Sequence, residues 1–204
     1  EGDVLRFVSS QNQTLFDRLG EEKARALFEE FTMPLNKGSI AGYVGVTRQL
    51  VNLKDVYNIP PTYDFKFNPA WDEANNYRCV SMLALPMISS EDKVVGVLQL
   101  INARSEDGQI IPFAKEYEQI IGAFASQAAV AIVNAQLHKQ LEEAHLDTVF
   151  RLSVAAEYRD KETANHVKRV SEYSALIGRQ IGLTEKEIDI LYWSSAMHDV
   201  GKLG

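Results

Sequence analysis

The most regular pattern of apolar and polar positions in the chain runs from Phe113 to about Tyr158. Apolar residues recur at three- and four-residue steps, in a first series of Ile121, Phe124, Ala128, Ile132 and Ala135. An offset second series consists of Val130, Val133, Leu137, Leu141 and Ala144. These steps predict an α-helix, since the stretch also lacks proline and holds a single glycine. The pattern allows one continuous helix, or two helices that break near residues 142–147.

The two apolar series predict different partners for this helix. The first series is expected to pack against the residues that precede the helix. The second is expected to face a partner helix, as in a coiled coil. Because Val133, Leu137 and Leu141 would otherwise be exposed, we expect a homodimer through the connecting helix.

Residues before about 112 alternate between strand-like and helix-like segments. Strands are expected at Val4–Ser9, Gln49–Leu53, Ser81–Met87 and Val94–Asn102, and a helix at Glu21–Phe31. The segment that contains Gly38, Gly42 and Gly45 is expected to be rich in turns. Ser89–Lys93, between the last two strands, is typical of a hairpin turn. This order of elements predicts an α+β domain built on an antiparallel sheet.

The segment Tyr57–Asn76 combines prolines with several aromatic residues. It is too irregular for a strand and too apolar for a solvated linker, so a loop or short helix folded over a cavity is expected. The candidate pocket residues are Tyr43, Phe67, Trp71 and Arg78. Ordinary core packing is the alternative for each of them.

Residues 148–204 are expected to be all-helical. Helix is predicted through Arg159 and again over Val167–Ile181, and Thr184–Glu187 forms a capping box that opens the next helix. Glu162 and His166 stand four residues apart and would share one helix face.

A His-Asp pair, His198 and Asp199, follows about thirty residues after His166. Each part is common alone, since a histidine at a helix C-terminus often only complements the helix dipole. Together, imidazoles and carboxylates suit Mn²⁺, Fe or Zn²⁺, so Glu162, His166, His198 and Asp199 are candidate metal ligands.

The charge and cysteine content indicate which binding partners and which redox environment to expect. The 204 residues carry a formal net charge of -7, which implies no general affinity for nucleic acid or anionic membrane. The single cysteine, Cys79, excludes an intrachain disulfide and favours a reducing, cytoplasmic setting. The N-terminus does not resemble a signal peptide, and no apolar run is expected to span a membrane.

The first two-thirds of the chain resemble a GAF domain. The similar segments are Asn36–Val44, Tyr77–Leu83, Val94–Asn102 and the helical Phe124–Ile132. The resemblance implies a central antiparallel sheet, a small-molecule pocket and a sensory or dimerising role. On this basis residues 1–135 are expected to form the GAF sensory domain and residues 136–147 the connecting helix.

The resemblance leaves the ligand of the pocket open. Asn102 and Phe113 match a motif of cyclic-nucleotide-binding GAF domains, but Ala103 and Tyr117 replace its lysine and aspartate. Haem bound through histidine is disfavoured, because no histidine precedes His138. Cys79 lacks a neighbouring histidine, so a buried structural cysteine is favoured over a bilin anchor. We therefore expect a small organic ligand.

Residues 148–204 resemble the N-terminal part of an HD-superfamily phosphohydrolase. Ala156–Asp160, Thr163 with His166, Arg169–Val170, Tyr173 and Gly182–Leu183 are similar to the HD-GYP branch, which hydrolyses cyclic di-GMP. The resemblance implies metal ligands at Glu162, His166, His198 and Asp199, a catalytic role for Asp199, and phosphate contact by Lys202. The family's later ligands and its Gly-Tyr-Pro loop lie beyond the HD motif and are absent here.

These resemblances predict a fragment of a signalling phosphodiesterase: an α+β GAF domain joined by a long helix to an incomplete all-α HD part. The parent would use a divalent metal to hydrolyse cyclic di-GMP. The fragment itself would hold no tightly bound metal and would be inactive. Two alternatives are a non-catalytic ligand-binding and dimerisation module, and an HD hydrolase that acts on another nucleotide.

Overall fold

The computed structural model describes residues 4–8, 10–29, 32–158 and 164–203. Its helices are α1 (Gln13–Leu19), α2 (Glu21–Glu29), α3 (Ile40–Thr47), α4 (Ala70–Ala74), α5 (Glu116–Tyr158), α6 (Ala164–Gln180) and α7 (Glu185–Ala196). Its strands are β1 (Val4–Arg6), β2 (Thr32–Pro34), β3 (Val51–Leu53), β4 (Met82–Ile88), β5 (Val94–Ile101), β6 (Ala103–Arg104) and β7 (Ile110–Ile111). A short 3₁₀ helix, Val200–Leu203, follows α7. The contacts divide the chain into two compact units, residues 1–133 and residues 134–204.

The first unit is built on antiparallel strands, as the sequence predicts. A three-stranded sheet has the order β3-β4-β5, in which Ala84 lies opposite Val51 on one side and Gln99 on the other. Two smaller antiparallel pairs, β1-β2 and β6-β7, complete the described strands. The α+β class of this unit is therefore confirmed.

Side chains on the two faces of strand β4 belong to two different hydrophobic clusters. Met82 and Ala84 belong to a cluster that also contains Val44 of α3, Cys79 and the aromatic ring of Phe65. Leu83 and Leu85 point the other way and pack with residues of α5. Because side chains alternate along a strand, one strand connects the aromatic segment on one face with the long helix on the other.

Gly42 and Gly45 lie in helix α3, so the expected turns are wrong at these two positions, whereas Gly38 lies in a turn before the helix. Ser39 caps the helix by accepting a hydrogen bond from the Gly42 backbone N–H at 3.1 Å. A Cβ on Gly42 would lie 2.0 Å from the carbonyl oxygen of Asn36. Gly42 therefore permits a close backbone approach, which an amino-acid pattern cannot distinguish from a turn.

Helix α5 is continuous over Glu116–Tyr158, which settles the choice between one helix and two. Its N-terminal part lies on the sheet of the first unit, where Ala125 and Ala129 are buried. The Asn52 amide of β3 donates to the backbone oxygen of Phe113 at 3.2 Å and to Glu118 Oε1 at 2.9 Å. Strand β3 is thus tied directly to the first turn of α5.

The described residues of the second unit are helical. Thr184 and Glu187 form the predicted capping box at the start of α7. Helices α6 and α7 pack through buried residues that include Val167, Ala175 and Ile188.

Among the described residues, one helical segment, Glu116–Ala155, is long and apolar enough to cross a membrane, since an 18-residue window within it has a mean hydropathy of 1.5. This differs from the expectation that no run reaches that length. Length and composition alone do not separate a membrane span from a core or interface helix, and the buried Ala125 and Ala129 place part of α5 against protein.

Candidate functional site

A cavity of about 430 Å³ lies under the aromatic segment of the first unit. Its lining consists of Val56, Tyr57, Ile59, Pro60, Pro61, Tyr63, Phe65, Lys66, Phe67 and Pro69. The volume falls within the range of about 300–1,000 Å³ that is typical of small-molecule pockets. Aromatic rings and prolines form most of its wall, and Lys66 is its one charged lining residue among those described.

Aromatic rings in edge-on and tilted contact support the shape of this segment. Tyr43 of α3 meets the ring of Phe65 edge-on, with centroids 4.9 Å apart. The rings of Tyr63 and Phe65 lie 4.8 Å apart, and those of Tyr57 and Phe67 lie 5.0 Å apart. Such contacts stabilise an irregular backbone that has few hydrogen bonds of its own.

The four predicted pocket residues take different positions. Phe67 lines the cavity. Tyr43 supports the wall from behind, and Trp71 packs against Tyr77 with ring centroids 5.9 Å apart. The guanidinium of Arg78 lies 4.5 Å from the centre of the Tyr57 ring, a cation–π contact. The sequence therefore located the segment, while Phe67 is the one candidate among these four that lines the described cavity.

Asp72 is a functional candidate that the sequence analysis missed. Its side chain is buried, and Oδ2 accepts hydrogen bonds from the Tyr57 hydroxyl at 2.8 Å and the Cys79 backbone N–H at 2.7 Å. Desolvation and the hydrogen bond to Asp72 raise the pKa of Tyr57 to about 12. Asp72 thus fixes the orientation of a cavity-lining tyrosine. The available signal was a carboxylate next to Trp71 in a segment rich in aromatics, but Asp64 and Glu73 in the same segment give a similar signal.

Cys79 is a buried structural cysteine, as the sequence favours. It is 4% exposed and belongs to the cluster on the aromatic side of the sheet. Burial, together with the carboxylates of Asp72 and Asp55, raises the pKa of the Cys79 thiol to about 12. A thiol held in its protonated form is a poor nucleophile, which argues against covalent attachment of a chromophore.

Asn102 has a structural role in the first unit. Its Oδ1 accepts a hydrogen bond from the Val80 backbone N–H at 2.7 Å. Its Nδ2 donates to the Tyr77 hydroxyl at 3.0 Å and to the Arg78 backbone oxygen at 2.8 Å. Asn102 also has a φ of 56°, a left-handed conformation that asparagine tolerates better than most residues. The side chain therefore holds the segment before β4 in place.

A second depression of about 540 Å³ lies beside α1 and α2. Its polar groups already bind one another: Arg25 pairs with Glu21 at 2.6 Å, and Gln13 donates to Asp17 at 2.7 Å. These pairs leave fewer polar groups on this surface to bind a ligand.

The second unit brings together three of the predicted metal ligands. The rings of His166 and His198 lie 5.8 Å apart, although His166 belongs to α6 and His198 to the turn after α7. Nδ1 of His198 donates to the Ser195 carbonyl at 2.9 Å, and Nε2 lies 3.2 Å from Asp199 Oδ2. That last contact is attractive if Nε2 is protonated or if both atoms bind one cation.

The described residues do not complete a metal site. No group of three or more His, Cys, Asp or Glu side chains within them is arranged to hold an ion. Glu162 lies outside the described residues, and so does the side chain of Lys202, whose backbone is in the 3₁₀ helix. The donor types fit a divalent metal, and His198 Nε2 and Asp199 Oδ2, which lie 3.2 Å apart, have a donor separation suited to sharing it.

Curated relatives match the first part of the chain. A dual 3′,5′-cyclic-AMP and -GMP phosphodiesterase 11A from Takifugu rubripes is 32% identical over 108 residues, which are 53% of this chain and 11% of the relative. A cGMP-specific 3′,5′-cyclic phosphodiesterase from Drosophila melanogaster is 30% identical over 58% of this chain and 10% of its own length. The chain thus spans about a tenth of the length of these relatives.

Comparison with solved structures gives a GAF domain from a phosphoenolpyruvate-protein phosphotransferase of Coxiella burnetii. It aligns with a TM-score of 0.43 and 20% identity, over 59% of this chain and 62% of that one. The sequence profile of the GAF domain matches residues 9–132, which include strands β2 to β7 and the start of α5. Since that match covers more than half of the 204 residues, the chain belongs to the GAF domain family.

Proposed function

We propose that the first unit is a sensory module whose cavity binds a cyclic purine mononucleotide or a close chemical relative. The observation that carries this proposal is the 430 Å³ cavity with aromatic walls and a single cation, Lys66. Aromatic rings such as Phe67 and Tyr63 can stack on a planar base, and an ammonium can pair with a phosphate. The named activities of the relatives on cyclic nucleotides support the same class of ligand.

The departure from the cyclic-nucleotide motif does not remove a residue from the cavity wall. Ala103 and Tyr117, which replace the motif's lysine and aspartate, are absent from the described lining. Asn102, which matches the motif, is occupied in holding residues 77–80. Asn102 therefore stabilises the fold near β6. The residues that line the cavity, and not the motif positions, supply the ligand contacts.

Calorimetric titration of the 204-residue chain with cGMP and with cAMP tests this function. We expect one site per chain for at least one of them, and a loss of affinity of about tenfold in Lys66→Ala, since a charge-assisted contact is worth roughly 1.5–3 kcal/mol. Lys54→Ala is the matched control, because Lys54 is exposed nearby but does not line the cavity. Binding that is unchanged in Lys66→Ala, or absent for both nucleotides at millimolar concentration, would contradict the proposal.

We also propose that occupancy of the cavity is transmitted through α5 within a homodimer. The cavity-lining Val56 and Tyr57 follow β3 by a few residues, and Asn52 in β3 binds the first turn of α5. A shift of β3 would therefore reach α5 through a hydrogen bond between defined atoms. The exposed Leu137 and Leu141 on the same helix support a partner helix.

For the second unit we propose a part of a metal-dependent phosphohydrolase that, in a longer parent, acts on cyclic di-GMP. The support is the placement of His166, His198 and Asp199 together with the HD-GYP-like residues. A metal at this site would supply a bound water of lowered pKa for attack on the phosphodiester. Within this chain, His198 would bind through Nε2, since its Nδ1 proton is engaged by the Ser195 carbonyl.

Metal analysis separates this proposal from a non-catalytic module. We expect residues 1–204 to retain less than one tightly bound metal per chain and to lack turnover of cyclic di-GMP. In the longer parent, Asp199→Ala should abolish turnover, whereas Asp189→Ala, at an exposed position on α7, should leave it unchanged. Full activity of the Asp199→Ala parent would refute the metal-site proposal.

A further inference from the structure

The wall of the 430 Å³ cavity offers a ligand more hydrogen-bond acceptors than donors. Three lining residues have a backbone carbonyl but no backbone N–H, because they are prolines: Pro60, Pro61 and Pro69. Four other lining N–H groups already donate within the protein: Val56 to the Val80 carbonyl at 2.8 Å, Tyr57 to Asp55 Oδ1 at 2.9 Å, Tyr63 to the Pro60 carbonyl at 3.1 Å and Lys66 to the Gly38 carbonyl at 3.2 Å. Within the described lining, the backbone donors left for a ligand are therefore at most those of Ile59, Phe65 and Phe67.

The hydroxyl proton of Tyr57 is also engaged. The hydroxyl donates to Asp72 Oδ2 at 2.8 Å, and the same oxygen accepts from the Cys79 backbone N–H at 2.7 Å. Desolvation and the hydrogen bond to Asp72 raise the pKa of Tyr57 to about 12, so the phenol stays protonated at neutral pH. Since its one proton points to Asp72, the Tyr57 oxygen can offer a ligand only its lone pairs.

Three contacts hold the Tyr57 side chain in the cavity wall, although the residue is 42% exposed. The guanidinium of Arg78 lies 4.5 Å from the centre of its ring, and the ring of Phe67 lies 5.0 Å away at an angle of 63°. The third contact is the hydrogen bond to Asp72, which is itself 3% exposed. An acceptor that is already held in place loses little side-chain entropy when a ligand binds.

From this arrangement we infer that the cavity selects ligands whose planar base carries an amino group, and that the Tyr57 hydroxyl oxygen accepts a hydrogen bond from that group. The inference rests on the proposed nucleotide-binding function and names the part of the ligand that the site recognises. An amino group supplies the donors that the wall lacks. A base without it would leave the Tyr57 oxygen unpaired in a desolvated site, and that penalty separates the two ligands.

Asp72 acts in this selection through Tyr57 and is a positioning residue. It does not line the described cavity, but it determines where the Tyr57 proton points. Without an acceptor at residue 72, the hydroxyl could rotate and donate its proton to the ligand. The Tyr57 hydroxyl would then accept from an amino group or donate to a ring nitrogen, so the preference for an amino group would be lost.

Calorimetric titration with two pairs of nucleotides tests the selection in the unaltered chain. Cyclic AMP is paired with the 3′,5′-cyclic phosphate of purine riboside, and cyclic GMP with cyclic IMP, so that each pair differs by one amino group. For the parent nucleotide that binds more tightly, we expect loss of the amino group to weaken binding about fivefold to tenfold, the size of one net hydrogen bond. Equal affinities within that pair would overturn the inference and leave the proposed function intact. Absence of binding by all four nucleotides would overturn both.

The ratio of affinities within a pair tests the roles of Tyr57 and Asp72. Tyr57→Phe keeps the ring and removes the acceptor, so the ratio should fall to about one. Asp72→Ala should lower it likewise, whereas Asp72→Asn keeps an oxygen acceptor and should preserve it. Lys66→Ala is the matched control: it should weaken both members of a pair alike and leave the ratio unchanged.

The ratio distinguishes selection from a general loss of structure, because a distorted wall weakens both members of a pair. An unchanged ratio in Tyr57→Phe would overturn the assignment to the Tyr57 hydroxyl. A ratio that falls in Tyr57→Phe but persists in a folded Asp72→Ala would overturn the positioning role of Asp72. If circular dichroism shows that Asp72→Ala does not fold, the comparison of Tyr57→Phe with Asp72→Asn decides, and loss of the ratio in both would contradict the role of Asp72.

Discussion

Replacing Asn102 with alanine is expected to lower the free energy of unfolding by about 3 kcal/mol. The change removes hydrogen bonds to the Val80 N–H, the Tyr77 hydroxyl and the Arg78 carbonyl. Each net hydrogen bond is worth roughly 0.5–1.5 kcal/mol, and a part-buried N–H left without an acceptor adds to the loss. Alanine also adopts the left-handed conformation at a cost of about 1–2 kcal/mol. Chemical denaturation followed by circular dichroism measures the change.

Two further variants at Asn102 separate the hydrogen bonds from the backbone conformation. Asn102→Gly removes the side chain but permits a φ of 56°, so it should be more stable than Asn102→Ala by about 1 kcal/mol. Asn102→Asp keeps the acceptor for the Val80 N–H and loses the amide donor, so an intermediate stability is expected. Wild-type stability in Asn102→Ala would show that the segment before β4 does not depend on this side chain.

Raising the pH above 9 is expected to destabilise the first unit through Cys79. The thiol has its pKa raised from 9.0 to about 12 by burial, so the folded state binds the proton more tightly than the unfolded state. The resulting stabilisation is complete below pH 9 and is lost as the pH rises toward 12. Each pH unit in that window removes about 1.4 kcal/mol, or roughly 4 kcal/mol in all.

The matched variant is Cys79→Ala, which lacks the titrating group. Its free energy of unfolding is lower at pH 8 because a buried sulfur is removed, but it should decline less steeply between pH 9 and pH 10 than that of the wild type. Tyr57 adds a similar dependence only above its ordinary pKa of 10, so this narrower window isolates the thiol. Parallel slopes for the two proteins would contradict the effect of burial on Cys79.

The sequence predicted the elements whose pattern is long and periodic. The antiparallel strands β4 and β5, the capping box at Thr184 and the helical character of 116–158 follow from local propensity and apolar period. The continuity of α5 did not follow, because residues 142–147 are mostly polar and compatible with a break. That choice depends on contacts along the whole helix, which the local sequence does not show.

The cavity was predicted as a region and not as a set of contacts. Prolines and aromatic rings marked the segment, but their packing order depends on tertiary contacts such as that between Tyr43 and Phe65. The role of Asp72 required knowing that Tyr57 and Cys79 converge on one carboxylate oxygen. Likewise, the sequence alone predicts a turn at Gly42. The structure shows that glycine is needed there because the carbonyl oxygen of Asn36 lies where a Cβ would be.

The candidate metal ligands remain a prediction from sequence resemblance. The structure places His166 near His198 and Asp199, but the described residues hold no complete donor group, and Glu162 lies outside them. A two-metal site needs donors from several helices, so its completeness depends on residues beyond the local motif.

The most direct test of the account is amide hydrogen exchange of the 204-residue chain with and without saturating cGMP. The account predicts slower exchange in residues 56–69, which line the cavity, and a smaller change at the start of α5, which Asn52 ties to β3. It predicts no such protection in Lys66→Ala at the same nucleotide concentration. Protection confined to the second unit, or unchanged exchange over residues 56–69 despite saturation, would contradict the claim that this cavity is the sensory site.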